Sequence, residues 1–123
     1  MVEDNAVQIS EEMVAQLGEF LREPKFRGSD FYPEPEILVR DQAELLLNDF
    51  IQRLIGLGPG TFAKSQILQE LVITLNAFDG FDSEEQDQLM THLNRPLDIL
   101  SIESTDGLIG EWRYGSFEAA NDP

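Results

Sequence analysis

Residues 37–56 read Ile37-Leu-Val-Arg-Asp-Gln-Ala-Glu-Leu-Leu-Leu-Asn-Asp-Phe-Ile-Gln-Arg-Leu-Ile-Gly56. Ile37, Leu38, Leu45, Leu46, Leu47, Phe50, Ile51, Leu54 and Ile55 recur at helical spacing, which predicts one long helix over 36–56. The apolar face is broad, so burial on more than one side is expected. Gly56, Gly58, Pro59 and Gly60 end the helix. On the far side of that break, Phe62, Ala63, Ile67, Leu68, Leu71, Val72, Leu75 and Phe78 form a second stripe, predicting a helix from Thr61 to about Asn76. A strand around 71–75 is the weaker alternative, since the period is 3.6 rather than 2.

Upstream, residues 1–9 read as a frayed, flexible end. Ser10 suits an N-cap, with Glu11 and Glu12 in the first turn where the helix dipole favours anions. Met13, Val14, Leu17, Phe20 and Leu21 continue as a helical stripe that Pro24 stops. Residues 24–36 hold three prolines and a glycine, so they form a loop. Phe26, Phe31 and Tyr32 within it read as aromatic anchors to the core, with an exposed binding loop as the alternative.

Downstream, Asp79-Gly80 marks a turn. Ser83-Glu84-Glu85-Gln86 matches a capping box, and Leu89, Met90, Leu93, Leu97 and Leu100 follow at helical spacing. Pro96 removes a backbone donor inside this run, so a helix to Asn94 and a second stretch from Pro96 are expected. Residues 104–117 suit a short helix capped by Asp106 and stopped at Gly115, or else an extended segment. Residues 118–123 read as flexible. The predicted fold is all-α: one domain over 1–123, a compact bundle of four to five helices with a proline-interrupted fourth helix.

The charge is the strongest functional signal. Twenty-four acids face eight bases, a net charge of −16 over 123 residues. The middle, 37–78, is close to neutral at −1, whereas 1–36 carries −6 and 79–123 carries −9. No base lies between Lys64 and Arg95. Such a surface repels phosphates, so nucleic acid is not an expected partner. There is no cysteine, which removes disulfides, thiolate catalysis and cysteine-ligated zinc. No apolar run approaches the ~20 residues needed to cross a bilayer, and the start of the chain lacks a signal-like apolar stretch. A cytoplasmic protein is expected.

Catalytic patterns are weak. His92 is the sole histidine and sits among Leu89, Met90 and Leu93, the setting of a structural histidine; Asp87 and Gln88 are its nearest polar neighbours in sequence. The serines lack a nucleophile-elbow context. The run Asp79–Asp87 has the composition of a calcium loop but the wrong spacing, with Phe81 at the third position and Glu84 where glycine is required. Gly56-Leu-Gly-Pro-Gly60 lacks the lysine of a phosphate loop. No cofactor or metal site is assigned.

Binding is then the favoured reading: a basic protein partner met by Asp79, Asp82, Glu84, Glu85 and Asp87, with Trp112 or Tyr114 as aromatic anchor. For these two aromatics a structural role is the favoured reading: Trp112 plugs the end of the helical core while Tyr114 keeps its hydroxyl in water. The chain resembles, through its size, its charge and the closing segment Asp106-Gly-Leu-Ile-Gly-Glu-Trp-Arg-Tyr-Gly115, the small acidic helical proteins that bacteria encode as immunity factors or that remain uncharacterised. That resemblance implies occlusion of a basic toxin domain and carries no functional residues with it. Two other readings stand beside it. One is a small carboxylate- or metal-dependent hydrolase, which needs a pocket of converging acids. The other is a homo-oligomer whose acidity serves solubility.

Overall fold

Helix formation over residues 37–57 follows the sequence closely, but the burial does not. In the computed structural model, which describes residues 5–115, α2 spans Ile37–Leu57 and buries Ala43, Leu47, Phe50, Ile51 and Leu54. Leu38 is 78% exposed, and Ile37 and Leu45 are also open to solvent. The breadth of the apolar face therefore reflects one buried stripe plus the exposed Ile37, Leu38 and Leu45.

The chain is mostly helical but not all-α. Its order is β1 (Ala6–Ile9), α1 (Glu11–Arg22), α2, β2 (Gly60–Ala63), α3 (Lys64–Ala77), α4 (Ser83–Ile99) and α5 (Leu108–Tyr114). β1 and β2 form an antiparallel pair in register Ala6↔Ala63, Val7↔Phe62, Gln8↔Thr61 and Ile9↔Gly60. This corrects two expectations. Residues 6–9 are not frayed: Val7 and Ile9 alternate into the core, the period-2 signature of a half-buried strand. Residues 61–63 are strand rather than helix, and α3 starts at Lys64. Gly60, at φ 154°, sets up the extended segment. A two-stranded ribbon is marginal alone; here the buried Val7 and Ile9 fix it to the helical core.

β1 leads straight into α1. The Ser10 hydroxyl accepts from the Met13 N–H at 3.1 Å, satisfying one orphan donor of the first turn. α1 packs on α2 and α4, α3 lies along α2, and α5 rests on α3. Arg53 laces α2 to α3: its Nε donates to Glu70 Oε1 at 2.7 Å, and its Nη2 to the buried Thr74 hydroxyl at 2.9 Å.

α4 runs unbroken through Pro96, so the expected split at Asn94–Pro96 does not occur. The proline lies in the last turn, where only a few residues follow, and the Leu100 N–H still reaches the Pro96 carbonyl at 3.1 Å. One lost bond there is offset by burial of Leu93, Pro96 and Leu100. The expected capping box at the other end also fails to form. Asp82 occupies the N-cap position, Ser83 is already helical, and the Gln86 amide donates back to the Phe78 carbonyl at 3.0 Å. Residues 108–114 are helix, with Gly107 rather than Asp106 at the N-cap, in the left-handed region at φ 84°. The expectation for 118–123 lies outside the described residues. Among the described residues, no helix is long and apolar enough to cross a membrane.

Candidate functional site

The acidic segment and the closing aromatic segment come together, but largely on each other. Trp112 Nε1 donates to Asp79 Oδ1 at 2.8 Å. Arg113 Nε donates to Asp87 Oδ1 at 2.9 Å, and this bond raises the Arg113 pKa. α5 is thus fastened to the turn before α4 and to the first turns of α4. Trp112 is half-buried against the core, whereas Tyr114 is exposed, with the Arg113 guanidinium above its ring.

Glu85 departs furthest from the outward display expected of it. It is 6% exposed, and its Oε2 accepts from the Tyr32 hydroxyl at 2.8 Å. The spacing explains this: Glu85 is four residues before Leu89 and eight before Leu93, so it falls on the buried stripe of α4. Burial first, and the Glu85 carboxylate second, hold the Tyr32 hydroxyl well above its ordinary pKa. Asp82 and Glu84 remain at the surface as expected.

The loop between α1 and α2 splits into anchors and a tip. Phe26 and Tyr32 are buried, while Phe31 is 98% exposed. Ser29 and Tyr32 bond to each other's backbone across a tight turn that carries Phe31 outward. Gly28 is needed below it, since a Cβ there would lie 2.6 Å from the Glu34 carboxylate and 2.9 Å from the Glu34 backbone nitrogen.

At the loop's start, Lys25 is buried and reaches back to the end of α1. Its Nζ donates to the carbonyls of Phe20 at 2.7 Å, Leu21 at 3.2 Å and Glu23 at 2.8 Å. A cation over the negative end of a helix is favourable; the Phe20 carbonyl also accepts the C-cap N–H of Glu23 at 3.0 Å. Burial lowers the Lys25 pKa, opposed by Glu44 and Glu23. The Lys25 N–H donates to Glu44 Oε2 at 2.7 Å. The next residue, Phe26, stands at φ 58°, and its N–H donates to Nε2 of His92 at 3.2 Å.

His92 is accordingly an acceptor for the backbone and a ring packed edge-on to Phe26. Burial lowers its pKa, Lys25 adds to that, and Glu44 opposes it. Its partners come from the loop and α2 rather than from Asp87 or Gln88. Chain proximity pointed to the wrong neighbours, because the loop folds back over α4 from 66 residues away.

A shallow groove of about 300 Å³ opens between α2 and the α3–α4 turn. Val39, Gln42, Ala77, Gly80, Phe81, Asp82 and Glu85 line it. Of the anticipated contact residues, only Asp82 and Glu85 are in this lining. Sequence reasoning passed over Val39, Gln42 and Ala77, although the excess width of the α2 apolar face was a signal of their surroundings. Among the described residues, no group of three or more His, Asp or Glu is placed to hold a metal ion.

The family model for a domain of unknown function, DUF4844, matches residues 8–117. The chain belongs to the DUF4844 family. It is similar in fold to the crystal structure of a DUF3571 family protein from Acinetobacter baumannii AYE, with a TM-score of 0.73 and 25% sequence identity over 89% of this chain and 94% of the other. No curated protein matches the sequence.

Proposed function

We propose that this DUF4844 protein is an acidic protein-binding module that engages a basic protein partner. The observation that carries the reading is where the charges go. Arg27, Arg40, Arg53, Lys64, Arg95 and Arg113 are each held in an ion pair within the chain, and Lys25 is buried. Eight bases serve 24 acids, so carboxylates such as Asp82 and Glu84 stay at the surface in excess. A field of that sign speeds association with a cationic surface and weakens as salt is added. The specific form proposed is an immunity factor that occludes a basic toxin domain; neutralisation of toxicity on co-expression is its test.

The general reading is tested by affinity capture from the source cell at low ionic strength, followed by titration of each purified partner at low and high salt. A partner of high isoelectric point, whose association slows about tenfold at about 0.5 M salt, is expected. The Asp82→Lys/Glu84→Lys double variant lowers the on-rate in the same direction. Partners that are neutral or acidic, or an on-rate indifferent to salt and to these charges, overturn the reading.

A further inference from the structure

We infer that the groove between α2 and the α3–α4 turn receives an amphipathic helix of the partner, its apolar face on the groove and a basic side chain at Asp82. The inference rests on the basic-partner reading and adds the place and the shape of the contact.

The helices that border this groove carry exposed apolar side chains. Gln42 lines the groove, and Leu38, four residues before it, and Leu45, three after it, share its face of α2. Ala77 lines the opposite wall, and Ile73, one turn earlier on α3, is 54% exposed. Phe81 contributes a half-buried ring to the lining. Tyr32, bonded to the groove residue Glu85, is preceded by the almost fully exposed Phe31. Leu38, Leu45 and Ile73 are large apolar residues on the helices beside the groove that the core does not use, and exposed apolar surface rimmed by polar groups marks a contact site.

The chemistry of the occupant follows from the walls. One wall is α2, whose backbone groups are already bonded, and the other is the end of α3, the turn at residues 80–82 and the start of α4, so neither offers a strand edge to extend. Side chains at i, i+3, i+4 and i+7 on a docked helix match such a trough. The lining holds two carboxylates and no base. Arg40, next to Val39, is turned to Glu34 and Asp41. Glu85 is already bonded to Tyr32, but an apolar occupant without a cation would leave the exposed Asp82 facing apolar surface; a cationic head with an aliphatic stem satisfies it.

The test uses the full chain and three synthetic peptides of about fifteen residues, long enough to form a helix when bound. One carries leucine on one face and arginine on the other. The second replaces leucine with serine, and the third replaces arginine with glutamate. Amide shift mapping is expected to place the first peptide at Val39, Gln42, Ala77, Phe81 and Asp82. The serine and glutamate peptides should each bind at least about tenfold more weakly. Ala77→Trp, at an exposed position, should weaken the first peptide by about the same factor with the melting temperature unchanged; Leu38→Ser is the second variant and acts in the same direction. If the leucine–arginine peptide binds elsewhere on the surface, or if the serine peptide binds equally well, the groove assignment falls while the basic-partner reading stands. If neither arginine peptide binds at low salt, both fall. If the same amides shift on dilution of the protein alone, the groove is filled by a second copy of this chain and the inference is overturned.

Discussion

The backbone N–H of Phe26 donates to Nε2 of His92 across 3.2 Å. The proton of the neutral imidazole therefore sits on Nδ1, and protonating Nε2 removes the acceptor. Phe26 is fully buried at a positive φ of 58°, a conformation that only surrounding contacts sustain in a bulky residue. The loop between α1 and α2 is thus tied to α4 through an imidazole that must stay neutral.

Stability should fall on mild acidification. Burial, with the Lys25 ammonium adding and Glu44 opposing, puts the folded His92 pKa below its ordinary 6.5. Between the two values the unfolded chain binds more protons, so unfolding is favoured as pH drops through 6.5 and the term is absent above it. Urea unfolding of the wild type and of His92→Gln, whose amide oxygen can accept the Phe26 N–H, isolates this contribution. The wild type is expected to lose more stability than the variant between neutral pH and the onset of carboxylate titration. Parallel curves would show that His92 does not titrate against folding.

Tyr32→Phe leaves the buried Glu85 carboxylate without its phenolic donor and should cost about 1–3 kcal/mol by chemical denaturation. Adding Glu85→Met to that variant removes the stranded carboxylate and should recover much of the loss, a coupling a double-mutant cycle reads directly. The folded hydroxyl keeps its proton beyond the ordinary value of 10.0. The Tyr32 contribution is therefore complete below pH 10 and declines as pH rises past it, so the gap between wild type and Tyr32→Phe should narrow in alkali.

Helix content was legible in the sequence because the apolar stripes of α1, α2, α3 and α4 repeat at 3.6 residues and are bounded by Pro24, the Gly56–Gly60 cluster and Asp79-Gly80. The β1–β2 pair was not. Its strands are four residues each, too short for a period-2 signal, and their partnership spans the whole of α1 and α2. Pro96 misled for a different reason: a proline in a final turn forfeits one bond, and the burial around it exceeds that loss. The candidate site was half legible. Position on the α4 stripe determines that Glu85 is inside while Glu84 is outside, and this follows from spacing alone. The pairing of Asp79 with Trp112 and of Asp87 with Arg113 needed the path of residues 100–107, which no local pattern specifies.

Trp112→Phe should cost about 0.5–1.5 kcal/mol through loss of the bond to Asp79. Asp79→Ala should cost a similar amount, and the two losses should not add, because each variant breaks the same contact. Trp112 is the sole tryptophan, so its emission in Asp79→Ala reports whether α5 stays seated. A red shift on that substitution is expected, since the unfastened indole gains water. Additive losses with unchanged emission would show that packing on the core alone holds α5.

Added salt should stabilise the fold. The ion pairs here lie at the surface, most with one side chain open to solvent and Arg95–Glu23 with both, and such pairs contribute about 0–1 kcal/mol each. Screening them costs little. The opposing term is repulsion among carboxylates at a net charge of −16, which compaction intensifies and salt relieves. Calorimetric scans are expected to show a melting temperature several degrees higher at about 0.5 M sodium chloride than at low salt. Asp82→Lys/Glu84→Lys, which removes negative charge at the start of α4, should flatten the salt dependence. A melting temperature that falls with salt would instead assign the ion pairs, rather than the uncompensated acids, the larger electrostatic share.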